Sequence, residues 1–361
     1  MRGVVKPKTE TEASPSLSVA SFQLNYPIGK GGFGKVWSVQ YHKTKEAMAL
    51  KEMSKGRVIA KRSVNSVQNE RKLLSVLRHP FIVNMHFAFQ DRENLYLAMD
   101  LMPGGDLRYH LGKMRRFGEE QSKFFLACIV TGLEYLHSNR ILHRDLKPEN
   151  LVLDAAGYVR ITDFGIARQW RPDNAQDTSG TPGYMAPEVM CRQNHSISVD
   201  YFALGVMAYE FMLGRRPYLG RNRKEIRDAI LAKQVAIRRQ EVPEGWSVEA
   251  ADFANRLIQR KPAARLGSNG PEEVKSHPWF AGFGWRHMAD KLLPAPFKPG
   301  PGDNFDTRVA TQDWKDEEEA VQAALRQEET ASLFEGYCYE RPAARPPTSS
   351  KQTSYKLRIR T

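Results

Sequence analysis

The chain has 361 residues, of which 41% are hydrophobic, and it carries a formal net charge of +13. This length and composition allow one large core or two moderate ones, and no apolar run is long enough to span a bilayer, so an integral membrane protein is not expected. The cysteines lack the spacing of a disulfide framework or a metal site, which favours a cytoplasmic location with nuclear entry left open: Cys128, Cys191 and Cys338.

The excess of basic residues is concentrated at one end of the chain. Residues 341–361 contain six basic and no acidic side chains, and they are rich in Pro, Ser and Thr. We therefore expect a disordered basic tail that is simply solvated. Weak membrane association through this tail, or binding of a partner protein, is the alternative. Nucleic-acid binding is not favoured, because the remaining charge is spread over the rest of the chain.

The composition changes along the chain in a way that predicts two lobes. Residues 1–21 are polar and predict a flexible leader. Residues 22–101 predict strands with one helix, and residues 102–280 predict mainly helices. An extended region is expected from residue 294 to residue 339, before the tail at 341–361. A small strand-rich lobe followed by a larger helical lobe predicts an α+β fold with a ligand cleft between the lobes.

A glycine-rich stretch with Gly-x-Gly-x-x-Gly spacing lies near the start of the strand-rich region. In a dinucleotide-binding protein this spacing leads from a strand into a helix, but here residues 36–41 continue as a strand. A glycine-rich hairpin between two strands can present bare backbone N–H groups to phosphates, and we expect that arrangement here. The candidate nucleotide-binding residues of this stretch are Ile28, Gly29, Lys30, Gly31, Gly32, Phe33, Gly34, Lys35 and Val36.

A period-two strand places Ala49 and Lys51 on one face. A small residue suits a flat purine, and an ammonium group suits phosphate oxygens. On the next predicted helix, Val67, Glu70 and Leu74 recur at helical spacing, which puts Glu70 on an inward apolar stripe. A buried carboxylate is costly unless it is paired, so we expect an ion pair between Lys51 and Glu70. An exposed strand lysine is the alternative.

Two short motifs flank a predicted β-hairpin in the middle of the chain. The first is His-Arg-Asp-Leu-Lys-Pro-Glu-Asn at residues 143–150, and the second is Asp-Phe-Gly at residues 163–165. Because a hairpin brings its two ends together, Asn150 and Asp163 should face one another and offer the oxygen ligands that Mg²⁺ prefers. Asp145 lies one loop away, where it can accept a proton from a substrate hydroxyl. Two polar loops that merely cap a hairpin are the alternative.

Together these motifs resemble the catalytic and metal-binding loops of protein kinases, in particular of the AGC group that includes the cAMP-dependent kinase. The segment at residues 101–111 also resembles the "yet another novel kinase" branch. The resemblance covers about residues 22–280 and implies a bilobal protein kinase fold, with an AGC-type C-terminal extension over residues 281–340. It implies ATP as the substrate and Mg²⁺ as the cofactor, with Asn150 and Asp163 holding the metal.

The family pattern can be carried onto further residues of this sequence. It implies an adenine pocket lined by Ile28, Val36, Ala49, Met99, Met102, Val152 and Phe305. It implies stacked side chains that join the lobes, namely Leu74, Met85, His143 and Phe164. It further implies that Glu188 pairs with Arg265 and that Asp200 opens the apolar helix at the core of the large lobe.

The resemblance implies transfer of the γ-phosphoryl group of ATP to a Ser or Thr hydroxyl of a protein substrate by a monomeric catalytic unit. Asp145 would accept the hydroxyl proton, and Lys147, which is typical of serine/threonine kinases, would stabilise the transferred group. Lys51 and Glu70 would complete the catalytic set. Substrates with basic residues before the acceptor are expected, because three acids match family positions, with solvated acids as the alternative: Asp106, Glu149 and Glu210.

The sequence departs from the AGC pattern at two regulatory positions. Asp177 stands where the group usually has a phosphothreonine, and the resemblance implies that Arg144 and Arg168 hold its charge. Cys338 replaces the phosphorylatable residue of the aromatic C-terminal motif at residues 334–339. A pseudokinase scaffold, or a binding protein that acts through the basic tail, is the alternative to an active kinase. However, no member of the core catalytic set is missing from the sequence.

Overall fold

The computed structural model describes residues 17–300, 302, 304–311 and 332–342, so most of the predicted leader and of the predicted basic tail lies outside the described residues. Residues 17–21 differ from the expected flexible leader. Val19–Ser21 form a 3₁₀ turn, and the side chains of Leu17 and Val19 pack against the core of the first sheet. Burial of these two apolar side chains removes hydrophobic surface from water and so stabilises the position of the turn on the sheet.

The first lobe is built on a six-stranded antiparallel sheet with the strand order β1-β2-β3-β5-β4-β10. The last strand comes from the C-terminal segment and pairs antiparallel with β4, with Tyr339 opposite Ala88. Two short two-stranded sheets, β6–β9 and β7–β8, belong to the second lobe. The strands are β1 Phe22–Lys30, β2 Lys35–Tyr41, β3 Ala47–Ser54, β4 Met85–Gln90, β5 Asn94–Asp100, β6 Ile141–Leu142, β7 Leu151–Leu153, β8 Val159–Ile161, β9 Arg168–Gln169 and β10 Tyr339–Glu340.

Helices dominate the second lobe, as the sequence predicted. At its centre, α6 is buried on every side, because its sequence is almost wholly apolar and has no polar face to turn to solvent. The helix α4 packs beside it. The helices are α1 Lys55–Ala60, α2 Val64–Val76, α3 Leu107–Met114, α4 Glu119–Ser138, α5 Pro187–Met190, α6 Ser198–Leu213, α7 Arg223–Ala232, α8 Val248–Leu257, α9 Pro271–Lys275, α10 Trp285–Ala289 and α11 Thr307–Thr311.

The first lobe contains two helices, α1 and α2, where the sequence predicted one. The short α1 continues directly from β3 and is capped by Ser54, whose side chain accepts a hydrogen bond from the N–H of Arg57. It spans six residues, and its glycine at position 56 is a poor helix former, so no periodic pattern marks it. Its Val58 is fully buried, and this tertiary contact stabilises the turn.

The helix α2 turns Val67, Glu70 and Leu74 toward the interior, which agrees with the stripe predicted from their spacing. Leu74 and Met85 belong to a hydrophobic core that continues into the second lobe through Phe164. The ring of Phe164 lies 5.2 Å from that of His143 in an edge-on contact. The side chains expected to join the lobes are therefore buried in one continuous core.

The hairpin predicted between the two central motifs is present. Its strands β7 and β8 pair antiparallel, with Leu151 opposite Ile161 and Leu153 opposite Val159. The turn is closed by Asp154, whose side chain accepts hydrogen bonds from two backbone N–H groups of the turn. Within the described ranges, none of the helices has both the length and the apolar character needed to cross a bilayer.

Candidate active site

The two lobes enclose a cleft with a volume of about 470 Å³. Its walls are formed by the β1–β2 hairpin, β3, β5, the β7–β8 hairpin and the C-terminal segment around Phe305. Asn150 and Asp163 lie at one end of it. The predicted nucleotide-binding residues that line the cleft are Ile28, Gly29, Lys30, Gly31, Gly32, Phe33, Val36, Ala49, Lys51, Met99, Met102, Val152 and Phe305.

Gly34 and Lys35, which the sequence also assigned to the nucleotide site, do not line the cleft. A Cβ atom on Gly34 would lie 1.9 Å from the carbonyl oxygen of Glu52, so this glycine permits the hairpin to approach β3 closely. Lys35 pairs with Lys30 in the ladder between β1 and β2. The glycine spacing alone does not separate a residue that faces a ligand from one that packs against a strand.

Val83 and Thr162 line the cleft but were not predicted from the sequence. The N–H of Val83 donates to the carbonyl of Ile161 at 2.9 Å, and the N–H of Thr162 donates to the carbonyl of Asn150 at 3.0 Å. These backbone contacts place both residues in the cleft wall. For Val83 the partner is distant in sequence, so no local signal was available.

The ion pair expected between Lys51 and Glu70 is present. The Lys51 Nζ donates to both carboxylate oxygens of Glu70, at 2.8 and 3.0 Å. Burial disfavours the charged ammonium, but Glu70 and Asp163 together raise the Lys51 pKa above its ordinary value, so the cation persists in the cleft. The register of β3 and the inward face of α2 thus fix a positive charge in the wall of the cleft.

Asn150 and Asp163 offer oxygen atoms at the end of the hairpin. The Asn150 Nδ2 donates to the backbone carbonyl of Asp145 at 2.8 Å. The Asn150 Oδ1 therefore remains as an oxygen ligand for a metal ion. Burial alone would raise the Asp163 pKa, but Lys51 and the N–H of Gly165 hold it below its ordinary value, so Asp163 is a carboxylate. An amide oxygen and an anionic carboxylate in one cleft fit Mg²⁺, which binds hard oxygen ligands.

Asp145 is held by a network that the sequence revealed only in part. Its Oδ2 accepts a hydrogen bond from Lys147 Nζ at 2.8 Å. Its Oδ1 accepts from both the backbone N–H of Thr181, at 2.9 Å, and the Thr181 hydroxyl, at 2.7 Å. Lys147 Nζ also reaches the Thr181 hydroxyl at 2.8 Å. Thr181 was not predicted, because it lies 36 residues beyond Asp145 and only the fold brings them together.

The loop that carries Asp145 is anchored by the buried Asp200 at the start of α6. The Asp200 carboxylate accepts hydrogen bonds from the backbone N–H groups of His143 and Arg144, at 3.0 and 2.8 Å, and lies 2.9 Å from His137 Nε2. Burial would raise the Asp200 pKa, but these hydrogen bonds hold it below its ordinary value. Arg144 has a φ of 69°, a strained conformation that the carboxylate stabilises.

The segment from Asp163 to Glu188, called the activation segment below, carries Asp177, which lies between two arginines. Its Oδ2 is 3.7 Å from Arg144 Nη1, as expected, and its Oδ1 is 3.6 Å from Arg171 Nη2. Arg168, which was predicted to hold the same charge, lies in β9 opposite Leu142, and its guanidinium donates to the carbonyl of Ala167. Its predicted role remains a prediction, and Arg171, which the sequence did not single out, lies beside Asp177 instead.

The three acids predicted to bind basic substrate residues all have partners within the protein. Asp106 caps α3, since its side chain accepts the N–H of Tyr109 at 2.8 Å. Glu149 and Glu210 both bind the guanidinium of Arg108. The structure places Asp106 and Glu149 at the cleft lining, but it adds an arginine to the acidic surface that the sequence pattern did not indicate.

The C-terminal segment returns to the first lobe at two places. Phe305 lies against Tyr26 over the cleft, with ring centroids 6.4 Å apart. Phe334 and Tyr337 are fully buried beside α2. The guanidinium of Arg71 on α2 donates to the backbone carbonyls of residues 336–338, at 2.6 to 2.8 Å. The aromatic motif at residues 334–339 therefore packs on the first lobe.

Glu188 and Arg265 form the buried ion pair expected from the resemblance. The two guanidinium nitrogens of Arg265 lie 2.7 and 3.0 Å from the two carboxylate oxygens of Glu188. Both side chains are almost completely excluded from solvent. This bidentate pair ties the end of the activation segment to the body of the second lobe.

Comparison with known proteins supports the identity that the geometry suggests. A probable serine/threonine-protein kinase of Dictyostelium discoideum is 39% identical over 79% of this chain and 62% of its own length. A cAMP-dependent protein kinase catalytic subunit-like protein of Caenorhabditis elegans is 36% identical over 82% of this chain and 75% of its own length. A ribosomal protein S6 kinase 2 alpha of Gallus gallus is 38% identical over 84% of this chain and 41% of its own length.

The chain thus spans less than two thirds of the length of some of these relatives. Residues 22–280 match the protein kinase domain family, a range that contains every residue of the cleft lining except those of the C-terminal segment around Phe305. The chain therefore belongs to the protein kinase family, and its motifs and relatives place it in the AGC group.

Proposed function

We propose that this chain transfers the γ-phosphoryl group of ATP to serine or threonine hydroxyls of protein substrates. The observation that carries the proposal is the Asp145 carboxylate, which Lys147 and Thr181 hold by hydrogen bonds next to Asn150, a residue that lines the cleft together with Asp163. Relatives over most of the chain are named serine/threonine protein kinases, which supports the same activity.

In this proposal different residues of the cleft bind the adenine, bind the phosphates and accept the proton. Ile28, Val36, Ala49 and Met99 hold the adenine, while the glycine hairpin and Lys51 bind the phosphates. The substrate hydroxyl oxygen bonds to the γ-phosphorus as the bond from that phosphorus to the β–γ bridging oxygen breaks. The hydroxyl proton passes to a carboxylate oxygen of Asp145, and ADP leaves.

Charge on the moving phosphoryl group is balanced by residues already fixed in position. Lys147 Nζ lies beside Asp145 and can donate to phosphoryl oxygens, and Lys51 is aimed by Glu70. Asn150 and Asp163 would hold Mg²⁺, which when bound neutralises charge on the phosphate oxygens. Because these groups are preorganised by the fold, little reorganisation is needed during the transfer.

We propose further that basic residues of the substrate approach the surface formed by Asp106, Glu149 and Glu210. A substrate guanidinium can pair with Glu149 and Glu210 there when it displaces their present partner, Arg108. We also infer that the chain acts as a monomeric catalytic unit, since every proposed catalytic group comes from one copy.

The test is phosphorylation of serine and threonine peptides with ATP and Mg²⁺, by the parent protein and by Asp145→Asn and Asp163→Asn. Both changes keep the side-chain size and remove charge, so we expect activity to fall by about 100-fold or more with the fold unchanged by circular dichroism. Asp173→Asn is the matched control, because Asp173 is an exposed acid of the activation segment. Nucleotide binding without any transfer by the parent would contradict the proposal and favour a pseudokinase scaffold.

A further inference from the structure

Arg108 lies within the acidic surface where a substrate arginine would be expected to bind. Its Nε donates to Glu149 Oε1 at 2.9 Å, and its Nη1 donates to Glu210 Oε1 at 2.9 Å. Its Nη2 lies 3.3 Å from the second oxygen of Glu210. These are the contacts that an incoming guanidinium would make with the same two carboxylates.

A tyrosine completes the enclosure of this arginine. The Arg108 Nη2 also donates to the hydroxyl of Tyr184, and that hydroxyl in turn donates to Glu210. Tyr184 lies near the end of the activation segment, and Arg108 is the second residue of α3. The guanidinium therefore joins α3, the 3₁₀ turn at Pro148–Asn150, the activation segment and α6.

The two carboxylates differ in how firmly they hold the arginine. The Glu210 side chain is only 7% exposed, whereas Glu149 is 44% exposed and Arg108 is 34% exposed. An exposed ion pair contributes little, because water and salt screen it. Leaving a buried carboxylate without its partner costs much more free energy, so Glu210 is the main anchor of Arg108.

The other charged side chains near Arg108 do not provide an additional carboxylate for a substrate cation. Asp106 is engaged as the cap of α3, and burial raises its pKa above the ordinary value. The guanidinium of Arg216 lies over the Tyr184 ring, 5.7 Å from its centroid, and against Gly183. Thus a second cation approaches the surface, and each of the three acids already has a partner.

We propose that Arg108 is a specificity-determining residue that competes with basic side chains of the substrate for Glu210 and Glu149. The proposal rests on the kinase function proposed above. Because Arg108 is attached to the protein, it binds the carboxylates without the loss of translational freedom that a peptide incurs. A substrate arginine gains affinity only by displacing it, so the parent protein selects weakly for basic residues upstream of the acceptor.

The test compares two peptides that differ only in having Arg or Ala at the second and third positions before the acceptor. The variants are Arg108→Met, which keeps an unbranched apolar stem, and Arg108→Ala. For the parent we expect similar kcat/KM values for the two peptides. For both variants the preference for the Arg peptide should increase about tenfold, mainly through KM, because a charge-assisted hydrogen-bonded pair becomes available to the peptide.

Two controls separate this effect from a general disturbance. Arg256→Met removes an exposed arginine of α8 that pairs with Asp252 one turn away, and it should leave the peptide preference unchanged. Combining Arg108→Met with Glu210→Gln should cancel the gained preference, because the acceptor of the substrate guanidinium is then neutral.

Binding of fluorescently labelled peptides, measured by anisotropy, gives a readout that does not depend on catalysis. Tighter binding of the Arg peptide to Arg108→Met than to the parent supports the inference, even if neither protein transfers phosphate and the proposed activity fails. A parent that already prefers the Arg peptide strongly, or an Arg108→Met variant whose preference and peptide affinity do not change, would overturn it.

Discussion

Asp177 supplies a permanent negative charge in the activation segment, and its removal should lower activity without any change in phosphorylation. The perturbation is Asp177→Asn, which keeps the size of the side chain and removes its charge. Arg168 and Arg171 both lie close enough to Arg144 to repel its charge, and Asp177 pairs with Arg144 and Arg171. Without it, like charges are left close together.

The magnitude follows from the exposure and distances of the two pairs. Arg171 is 63% exposed, so its pair at 3.6 Å should contribute less than about 1 kcal/mol. Arg144 is 3% exposed, and the loss of a partner by a fully buried charge costs about 3–5 kcal/mol. Here the pair is 3.7 Å long, Asp177 is 23% exposed, and Arg144 also donates to the carbonyl of Ile166. We therefore expect a cost of about 1–2 kcal/mol in the ordered segment.

A change of this size corresponds to about a tenfold decrease in kcat/KM if the segment must be ordered for transfer. The assay uses parent, Asp177→Asn and Asp177→Glu proteins after phosphatase treatment, with loss of phosphate verified by mass spectrometry. Asp177→Glu keeps the charge and should retain most activity. Hydrogen exchange of the backbone at residues 166–180 should increase in Asp177→Asn but not in the control Asp173→Asn.

Two results would refute this reasoning. If the dephosphorylated parent loses its activity, the carboxylate is not sufficient, and an added phosphate on a residue such as Thr178 is required. If Asp177→Asn is as active and as protected from exchange as the parent, the charge of Asp177 does not order the segment.

Other predictions concern the C-terminal segment and the pH dependence of stability. The buried Tyr337 hydroxyl has no hydrogen-bond partner among the described residues, so Tyr337→Phe should raise the thermal midpoint through a gain of about 1 kcal/mol. Arg71→Ala removes the donor to three carbonyls of this segment, and we expect faster proteolysis near residue 338 together with lower activity, which limited chymotrypsin digestion and peptide assays would measure. Burial, and then Lys291, lower the His79 pKa from 6.5 to about 4, so the unfolded chain binds the proton more readily. Stability should therefore fall as the pH decreases from about 6.5 to about 4, and denaturant unfolding at several pH values should show a smaller decrease in His79→Gln.

The elements that could be predicted from the sequence were those with a local pattern. The hairpin of β7 and β8 has two short apolar strands around a turn sequence, and both its ends carry conspicuous motifs. The Lys51–Glu70 pair combines a strand of period two with a helical stripe, so the spacing of neighbouring residues alone assigns each side chain to a face.

Residues whose roles depend on distant contacts could not be found in this way. Arg108 lies 41 residues from Glu149 and 102 residues from Glu210, and its local sequence is typical of an ordinary exposed arginine on a helix. Similarly, Arg168 and Arg171 are both basic residues of one segment, and only the pairing of β9 with β6 decides which of them reaches Asp177. Fold geometry, rather than residue type, makes these distinctions.

The ionic sites around Arg108 and around Asp177 differ in strength in a way that bears on their roles. Arg108 makes two contacts of 2.9 Å with carboxylates, one of which is buried, and it shares a hydrogen bond with Tyr184. Asp177 makes longer contacts of 3.6 and 3.7 Å, and a carboxylate brings one charge where a phosphate brings about 1.5 to 2. The ionic contacts at Arg108 are therefore stronger than those at Asp177. Since Tyr184 belongs to the activation segment, closure of the acidic surface also helps to hold the end of that segment, whereas its central part at Asp177 is held by weaker pairs.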